Sequence, residues 1–443
     1  MKPRHQTIFL VTLLALIGNA TGAAETLTID ADTAARMAVE ASTLTAAAED
    51  RVEATRSTVK AADAARLPIL SVSAAAAHQS AVPEFAAPID GPGQSPTVIF
   101  PNIQNIYSAD LSVSQPIYTG GAIAANREAA RLDESATTWS QTLTALDLSN
   151  HAHLLYWSAV AAAAGVEVAE AQIKRTQRLL DDARALREAG MAVNADVFAA
   201  EARASAAEVD LIRTRNEEEQ SLARLRSLLG IDARNELHLK DAKTEQVPSS
   251  PPDLAALERT ALENRPELKI TDARIEGLGA RARAVNANRR PMVAANGQWL
   301  VARPNQRYLP LEDVVNDSWR VGVGASWQLF DGSRTREQVA TVHAEQRALQ
   351  HDRGELERQI LLEVATARLE LESALEAVVA ADSSADAAAA WEEASGERYA
   401  AGLAMLSELL DAQADLTAAE VAQVKTRAAA WLAEAALLRA VGR

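Results

Sequence analysis

Two spacings of apolar residues alternate along this chain. In the first, Trp319, Val321, Val323, Ala325, Trp327 and Leu329 alternate with Ser318, Arg320, Gly322, Gly324, Ser326 and Gln328, the period of two that gives a strand one apolar face. Tyr107, Ala109, Leu111 and Val113 alternate with Ser108, Asp110, Ser112 and Ser114 in the same way, while Leu70/Val72/Ala74 and Val293/Ala295/Gly297/Trp299/Val301 keep a weaker apolar face. The second spacing is helical. Ile360, Val364, Ala367, Leu371, Ala374 and Val378 hold the 4,3 spacing of a packing seam, as do Val421, Val424, Ala428, Trp431, Ala435 and Leu438. These patterns predict helices at about 31–66, 122–188, 194–229, 253–289, 334–400 and 404–441, and strands at about 69–79, 107–118, 292–303 and 318–330. A helix of sixty-odd residues is about 100 Å long at 1.5 Å per residue, far larger than a globular domain, and such a helix is held by coiled-coil packing. Gly190 and Gly402 sit where each long helix must reverse, and glycine supplies the left-handed cap this needs.

The order of elements occurs twice. AAEVDLIRTR at 206–215 returns 212 residues later as AAEVAQVKTR at 418–427, and the same offset aligns Gly120 with Gly332, Gly190 with Gly402 and Gly230 with Gly442. Upstream, Arg66-Leu67-Pro68 aligns with Arg289-Arg290-Pro291 at an offset of 223 residues, the difference falling in a Pro/Gly-rich stretch around 82–101 where insertions are tolerated. Four glycine and proline landmarks in register identify an internal duplication. The expected organisation is a signal segment at 1–24, a first structural repeat at 25–230, a linker at 231–252 and a second repeat at 253–443.

Lys2 and Arg4 precede the apolar run IFLVTLLALI at 8–17, which gives way to small residues up to Ala24. Ten apolar residues are too few for a spanning helix, which needs roughly 20, so the segment reads as a secretory signal with cleavage expected after Ala23 or Ala24. After it no uninterrupted run of about 18 apolar residues occurs, and no transmembrane helix is expected. The absence of cysteine among the 443 residues excludes disulfides, thiol catalysis and a cysteine-linked lipid anchor. With 60 acidic against 44 basic side chains the formal charge is −16, which argues against a nucleic-acid partner. Alanine dominates the apolar fraction while aromatics are 4%, a composition suited to long helices in close contact.

The aromatics cluster at the strands: Tyr107, Tyr118, Trp299, Trp319, Trp327 and Phe330 lie in or beside them. Ten-residue segments, apolar on one side and polar on the other, with aromatics at their ends, are the pattern of membrane barrel strands and their girdles. Four strands are too few to close a barrel, since the smallest have about eight, and lipid does not tolerate open edges. Either the strands lie outside a membrane or several chains share one barrel; three chains would supply twelve strands, with the helices forming a tube continuous with it.

Ser114-Gln115-Pro116-Ile117-Tyr118-Thr119-Gly120-Gly121, its repeat Gln328-Leu329-Phe330-Asp331-Gly332-Ser333, the string Asn264-Arg265-Pro266-Glu267-Leu268 and Leu228-Leu229-Gly230 together resemble the TolC-type outer-membrane efflux proteins, over essentially the whole mature chain. The first half has no counterpart of the NRPEL string, reading Ala41-Ser42-Thr43-Leu44 there. The resemblance implies a mainly helical fold with a membrane β-barrel contribution: a homotrimer with a twelve-stranded barrel in outer-membrane lipid and a coiled-coil helical tunnel in the periplasm. It implies a passive exit duct, gated at its periplasmic end, for a tripartite efflux or type I secretion system with a periplasmic adaptor and an inner-membrane transporter.

The resemblance also places a gate. Through Gly402, the family's acidic pair falls on Glu408 and Asp411, three apart and so on one helix face; three chains would bring six carboxylates into a ring that binds cations and repels anions. Tyr399 matches a tyrosine that helps hold the closed state, although its expected basic partner position is Ala404. The tips, with Gly190, Met191, Asn194 and Asp196 in one and Gly402, Leu403 and Ser407 in the other, are the expected adaptor contacts.

No enzyme is expected. HExxH, P-loop and GxSxG patterns are absent, and His151 and His153 point to nearly opposite sides of a helix, so neither a metal site nor a cofactor is expected. The competing reading is a secreted periplasmic coiled-coil scaffold or adaptor that grips a partner with a hairpin.

Overall fold

The computed structural model describes residues 27–88, 96–232, 235, 237–240, 251 and 253–443. The expected signal segment and most of the expected linker lie outside the described residues. The first half of the chain carries β1 (Leu27–Ile29), α1 (Ala31–Ala41), α2 (Thr43–Ala64), β2 (Ile69–His78), β3 (Phe85–Ala87), β4 (Thr97–Phe100), β5 (Asn105–Tyr118), α3 (Ala122–Glu188) and α4 (Asn194–Leu229). The second carries β6 (Leu237–Leu239), α5 (Leu254–Asn264), α6 (Pro266–Asn286), β7 (Met292–Arg303), β8 (Asn316–Ser326), α7 (Arg334–Ala400) and α8 (Leu406–Ala440). The duplication is visible in the lengths: α1 and α5 each have 11 residues, and α3 and α7 each have 67.

Two of the expected helices are each broken in two, at equivalent points of the two halves. In the second half Pro266 opens α6, and the residue before it, Arg265, is pushed out of the helical region to ψ 118°. In the first half Ser42 is extended at ψ 127° and its Oγ accepts from Leu44 N at 3.1 Å, capping α2. The same break is thus made by a proline in one repeat and a serine cap in the other.

The chain forms two compact units, and each draws on both halves of the duplication. The first comprises Ser42–Asn150, Pro248–Ala377 and Ala430–Arg443. It contains a four-stranded antiparallel sheet in the order β2-β5-β7-β8. Its helical core gathers Ala261, Leu268, Ile360, Val364, Leu371 and Leu437. Arg265, 3% exposed, ties this core together. Its guanidinium makes a bidentate pair with Glu363 at 2.8 and 3.2 Å, and Nη1 also donates to the carbonyls of Arg439 and Ala440 at 3.2 and 3.3 Å. Both lie at the end of α8, where helix carbonyls run short of intrahelical donors; the Arg439 carbonyl also accepts from Gly442 N at 3.0 Å. Arg439 in turn reaches Asp147 at 3.1 Å and Glu363 at 2.7 Å.

The second unit comprises the described residues of Met1–Ala41, His151–Val247 and Val378–Ala429. Here β1 and β6 pair in parallel, and the hydroxyl of the buried Tyr156 lies 3.5 Å from the carbonyls of both Ile29 and Lys240. Leu179, Leu180, Ala183 of α3, Val197, Ala200, Ala204 of α4 and Leu406, Leu409 of α8 form one apolar cluster.

The seam of α7 is buried at Ile360, Val364, Ala367, Leu371 and Val378, but the α8 seam drifts: Leu438 is 43% exposed and Leu437 is buried in its place. At this end α8 turns a different face inward, with Leu437, Ala440 and Val441 in one cluster with Ala261, Leu268 and Ile360. α3 also holds an 18-residue window of mean hydropathy 1.3, long and apolar enough by composition to cross a membrane. Ser158 and Glu167 interrupt this part of α3, so its average is apolar although no unbroken run of about 18 apolar residues occurs.

Candidate functional site: an open sheet and two helix tips

The register of the four strands sorts their residues onto two faces. Val72, Leu111, Trp299 and Trp319 stand opposite one another across all four strands, and the next row on that face is Leu70, Val113, Gly297 and Val321. The other face carries the rows Ser71–Ser112–Gln298–Arg320 and Ser73–Asp110–Leu300–Ser318. On that polar side the Ser71 and Ser112 hydroxyls meet at 2.7 Å, Ser73 donates to Asp110, and Arg320 donates to Gln298 Oε1 at 3.1 Å. The apolar face is uncovered: Val72 and Val321 are each 74% exposed and Trp319 is 69% exposed. β2 and β8 end the sheet and each has one hydrogen-bonded neighbour.

Aromatic residues mark both ends of the apolar face. Tyr107 opposes Arg303 near the β7–β8 loop, and Trp299 donates from Nε1 to Asp317 Oδ2 at 3.1 Å. Tyr118 opposes Val293 at the helix end. β8 stops at Ser326, short of the expected 330, so Trp327 and Phe330 lie beyond the strand; Trp327 Nε1 donates to Arg289 O at 3.0 Å. The turn into α3 needs Gly120, at φ +65°, because a side chain there would come within 2.7 Å of the Ala287 carbonyl oxygen. At the matching turn into α7, Asp331 accepts from Thr335 N at 2.9 Å and from its hydroxyl at 2.5 Å. Those two bonds from Thr335 hold its carboxyl below the ordinary value.

The helix tips repeat one another as well. Gly190 and Gly402 are left-handed, and the following residues close the helix ends with Met191 N to Leu186 O and Leu403 N to Arg398 O, both 2.8 Å. Asp196 accepts from Val193 N at 3.3 Å at the start of α4. Gly190, Met191, Asn194, Gly402, Leu403 and Ser407 are exposed and Asp196 is half-buried. Val193, Phe198 and Met405, which the sequence reading did not single out, are also exposed apolar residues at these tips.

Glu408 and Asp411 both lie in the first turns of α8, Glu408 half-buried and Asp411 exposed. Glu408 accepts from Arg398 Nη1, an ion pair across the tip. Arg398 was missed in the sequence; a cation in the last turn before Gly402 followed by an acid in the first turn after it was the available signal. Tyr399 packs against the apolar cluster of α3, α4 and α8 and lines a cavity of about 410 Å³ with Arg175, Arg178, Asp182, Glu392 and Gln413. Burial, then the charges of Asp196 and Asp182, raise its phenol above the ordinary value. Arg175 is anchored beside this cavity by Glu420 at 2.7 Å and Thr417 at 3.2 Å. Ala404 gives Tyr399 no basic neighbour, as the sequence already showed.

A family model described as outer membrane efflux protein matches residues 35–231 and 257–443. The chain belongs to the outer membrane efflux protein family. No curated protein matches the sequence. Among solved structures, CusC is 17% identical with a TM-score of 0.78, over 93% of this chain and 92% of that one. VceC of Vibrio cholerae is 18% identical with a TM-score of 0.73, over 93% and 96%, and the open state of MtrE of Neisseria gonorrhoeae is 18% identical with a TM-score of 0.69, over 93% and 88%. These likenesses are of fold: the mainly helical, duplicated architecture with a sheet contribution is that of outer-membrane channels. Membership makes this efflux protein a transport channel of the outer membrane.

Proposed function

We propose that this efflux protein is the passive exit duct of a tripartite efflux or type I secretion system, acting as a homotrimer. The observation that carries the reading is the sheet: one face apolar and bare, the other polar, and neither edge paired with a further strand among the described residues. Three copies joined edge to edge give twelve strands with no edge left, the condition lipid imposes. Tyr107 and Tyr118, eleven positions apart on β5, span about 36 Å along the strand at roughly 3.3 Å per residue. A tilt of about 40° reduces that to about 28 Å, close to the ~25 Å apolar band of outer-membrane barrels. Tyr107, Tyr118, Trp299, Trp319 and Trp327 then form the girdles, and the polar face lines the lumen.

At the helix tips, Glu408 and Asp411 of three chains form the gate ring, Tyr399 contributes to the closed state, and both tips receive the periplasmic adaptor that links the duct to an inner-membrane pump. The exposed Met191, Val193, Leu403 and Met405 give the adaptor an apolar surface. Export depends on the signal at 1–24. Because Arg398 already neutralises Glu408, Asp411 carries the larger share of the ring's free charge.

Single-channel conductance of the purified protein in a planar bilayer tests this. A small cation-selective conductance is expected, growing in Glu408→Ala/Asp411→Ala, with most of the loss of selectivity already present in Asp411→Ala. Conductance untouched by the double substitution would retain the duct and remove the gate. No conductance from a protein that stays soluble without detergent would favour the periplasmic scaffold.

A further inference from the structure

Among the described residues β8 is the last strand of the sheet, bonded to β7 and to no other strand. The loop that joins them folds back on it. Asn305, 1% exposed, fixes the loop: its Nδ2 donates to Asn316 O and Ser318 Oγ, and its Oδ1 accepts from Arg307 N, all at 3.1 Å. So anchored, the loop directs Arg307 Nη1 to the carbonyl of Trp319 at 2.5 Å and the Tyr308 hydroxyl to the carbonyl of Asp317 at 2.8 Å. Residues two apart on a strand present their carbonyls to the same side. Asn305 continues the chain out of β7 and takes the carbonyl of Asn316, one position away and on the opposite side. The carbonyls of Asp317 and Trp319 therefore belong to the outer edge. A cavity of about 620 Å³ runs beside them, lined by Arg307, Tyr308 and residues 317–321, with no residue of β7.

We propose that Arg307 and Tyr308 guard this edge in the single chain and are displaced by β2 of a second copy when the barrel closes. The inference rests on the shared-barrel reading. β2 is the fitting occupant: it ends the same sheet order on the other side, is exposed along its whole length, and the alternation of β2, β5, β7 and β8 makes it antiparallel to β8 of the preceding copy. An unpaired edge on an exported chain is a template for wrong pairing, and its carbonyls cannot enter lipid unbonded. Two side-chain hydrogen bonds cover the end of β8 nearest the loop yet are weak enough individually to give way to a strand.

Full-length protein refolded from urea into phospholipid vesicles, with trimer followed by chemical cross-linking and by electrophoresis of unheated samples, provides the test. Arg307→Ala/Tyr308→Phe is expected to form trimer roughly tenfold faster than the unsubstituted chain, and to aggregate more when vesicles are withheld. Tyr308→Phe alone, which removes one hydroxyl, is expected to show a smaller acceleration with unchanged helical content by circular dichroism. Trimer formed at equal or slower rates by both variants would overturn the guard and leave the barrel intact. An unsubstituted chain that never forms trimer would overturn the shared barrel, and the guard with it.

Discussion

Arg398 stands in the last turn of α7, where a cation offsets the carbonyl end of the helix, and Glu408 stands in the first turn of α8, where an anion offsets the amide end. Each is placed by its own helix, and the turn at Gly402 brings them together. The acids could be read from the sequence by alignment on Gly402; the sequence marks a cation in the last turn before it, but the path of the turn decides that this side chain meets Glu408. His153 is a second case. Burial lowers its pKa from the ordinary value of 6.5, against a raising effect of Asp32. The unfolded chain then binds the proton more readily than the folded one. Its contribution is complete above the unfolded value near 6.5 and is lost as pH falls from there through the lowered folded value. The melting temperature is expected to drop between about pH 7.5 and pH 5, and to drop less in His153→Gln, as followed by circular dichroism.

The helix breaks at Ser42 and Arg265 show what an element inherits from its repeat and what it does not. A proline stops one helix by geometry and a capped serine starts the next helix in the other repeat. In the second half Arg265 also joins α6, α7 and the end of α8 through Glu267, Glu363 and the carbonyls of Arg439 and Ala440. Replacing it by alanine removes the bidentate pair with Glu363, which keeps only Arg439, and takes the donor from the Ala440 carbonyl. Arg265→Ala is expected to cost about 1–3 kcal/mol in denaturant unfolding, and Arg265→Lys to recover little of it, since an ammonium cannot make the bidentate pair and reach the carbonyls together. The NRPEL string was visible as a motif. Its reason was not, because its partners lie 98 and 174–175 positions away.

For the whole molecule the two faces of the sheet make opposite demands. Val321 lies midway along β8 on the apolar face, and Ser112 lies on the polar face of β5. If the apolar face meets lipid, Val321→Arg is expected to destabilise folding into vesicles by about 2–4 kcal/mol. Ser112→Arg is expected to change conductance with little effect on stability. Equal costs at the two positions would argue against a lipid-facing side. The strands, the long helices, their reversal at Gly190 and Gly402 and the duplication were written in local pattern: periods of two and of 3.5, and glycine where φ must be positive. The periods and the glycines are properties of neighbouring residues, and the duplication is their return along the chain; all survive without knowledge of the fold. Tertiary structure alone decided the order β2-β5-β7-β8, the pairing of Arg398 with Glu408, the drift of the α8 seam from Leu438 to Leu437, and the closure of the β8 edge by Arg307 and Tyr308. Each of these depends on which distant groups meet, and a linear pattern of apolar and polar positions does not contain that distance.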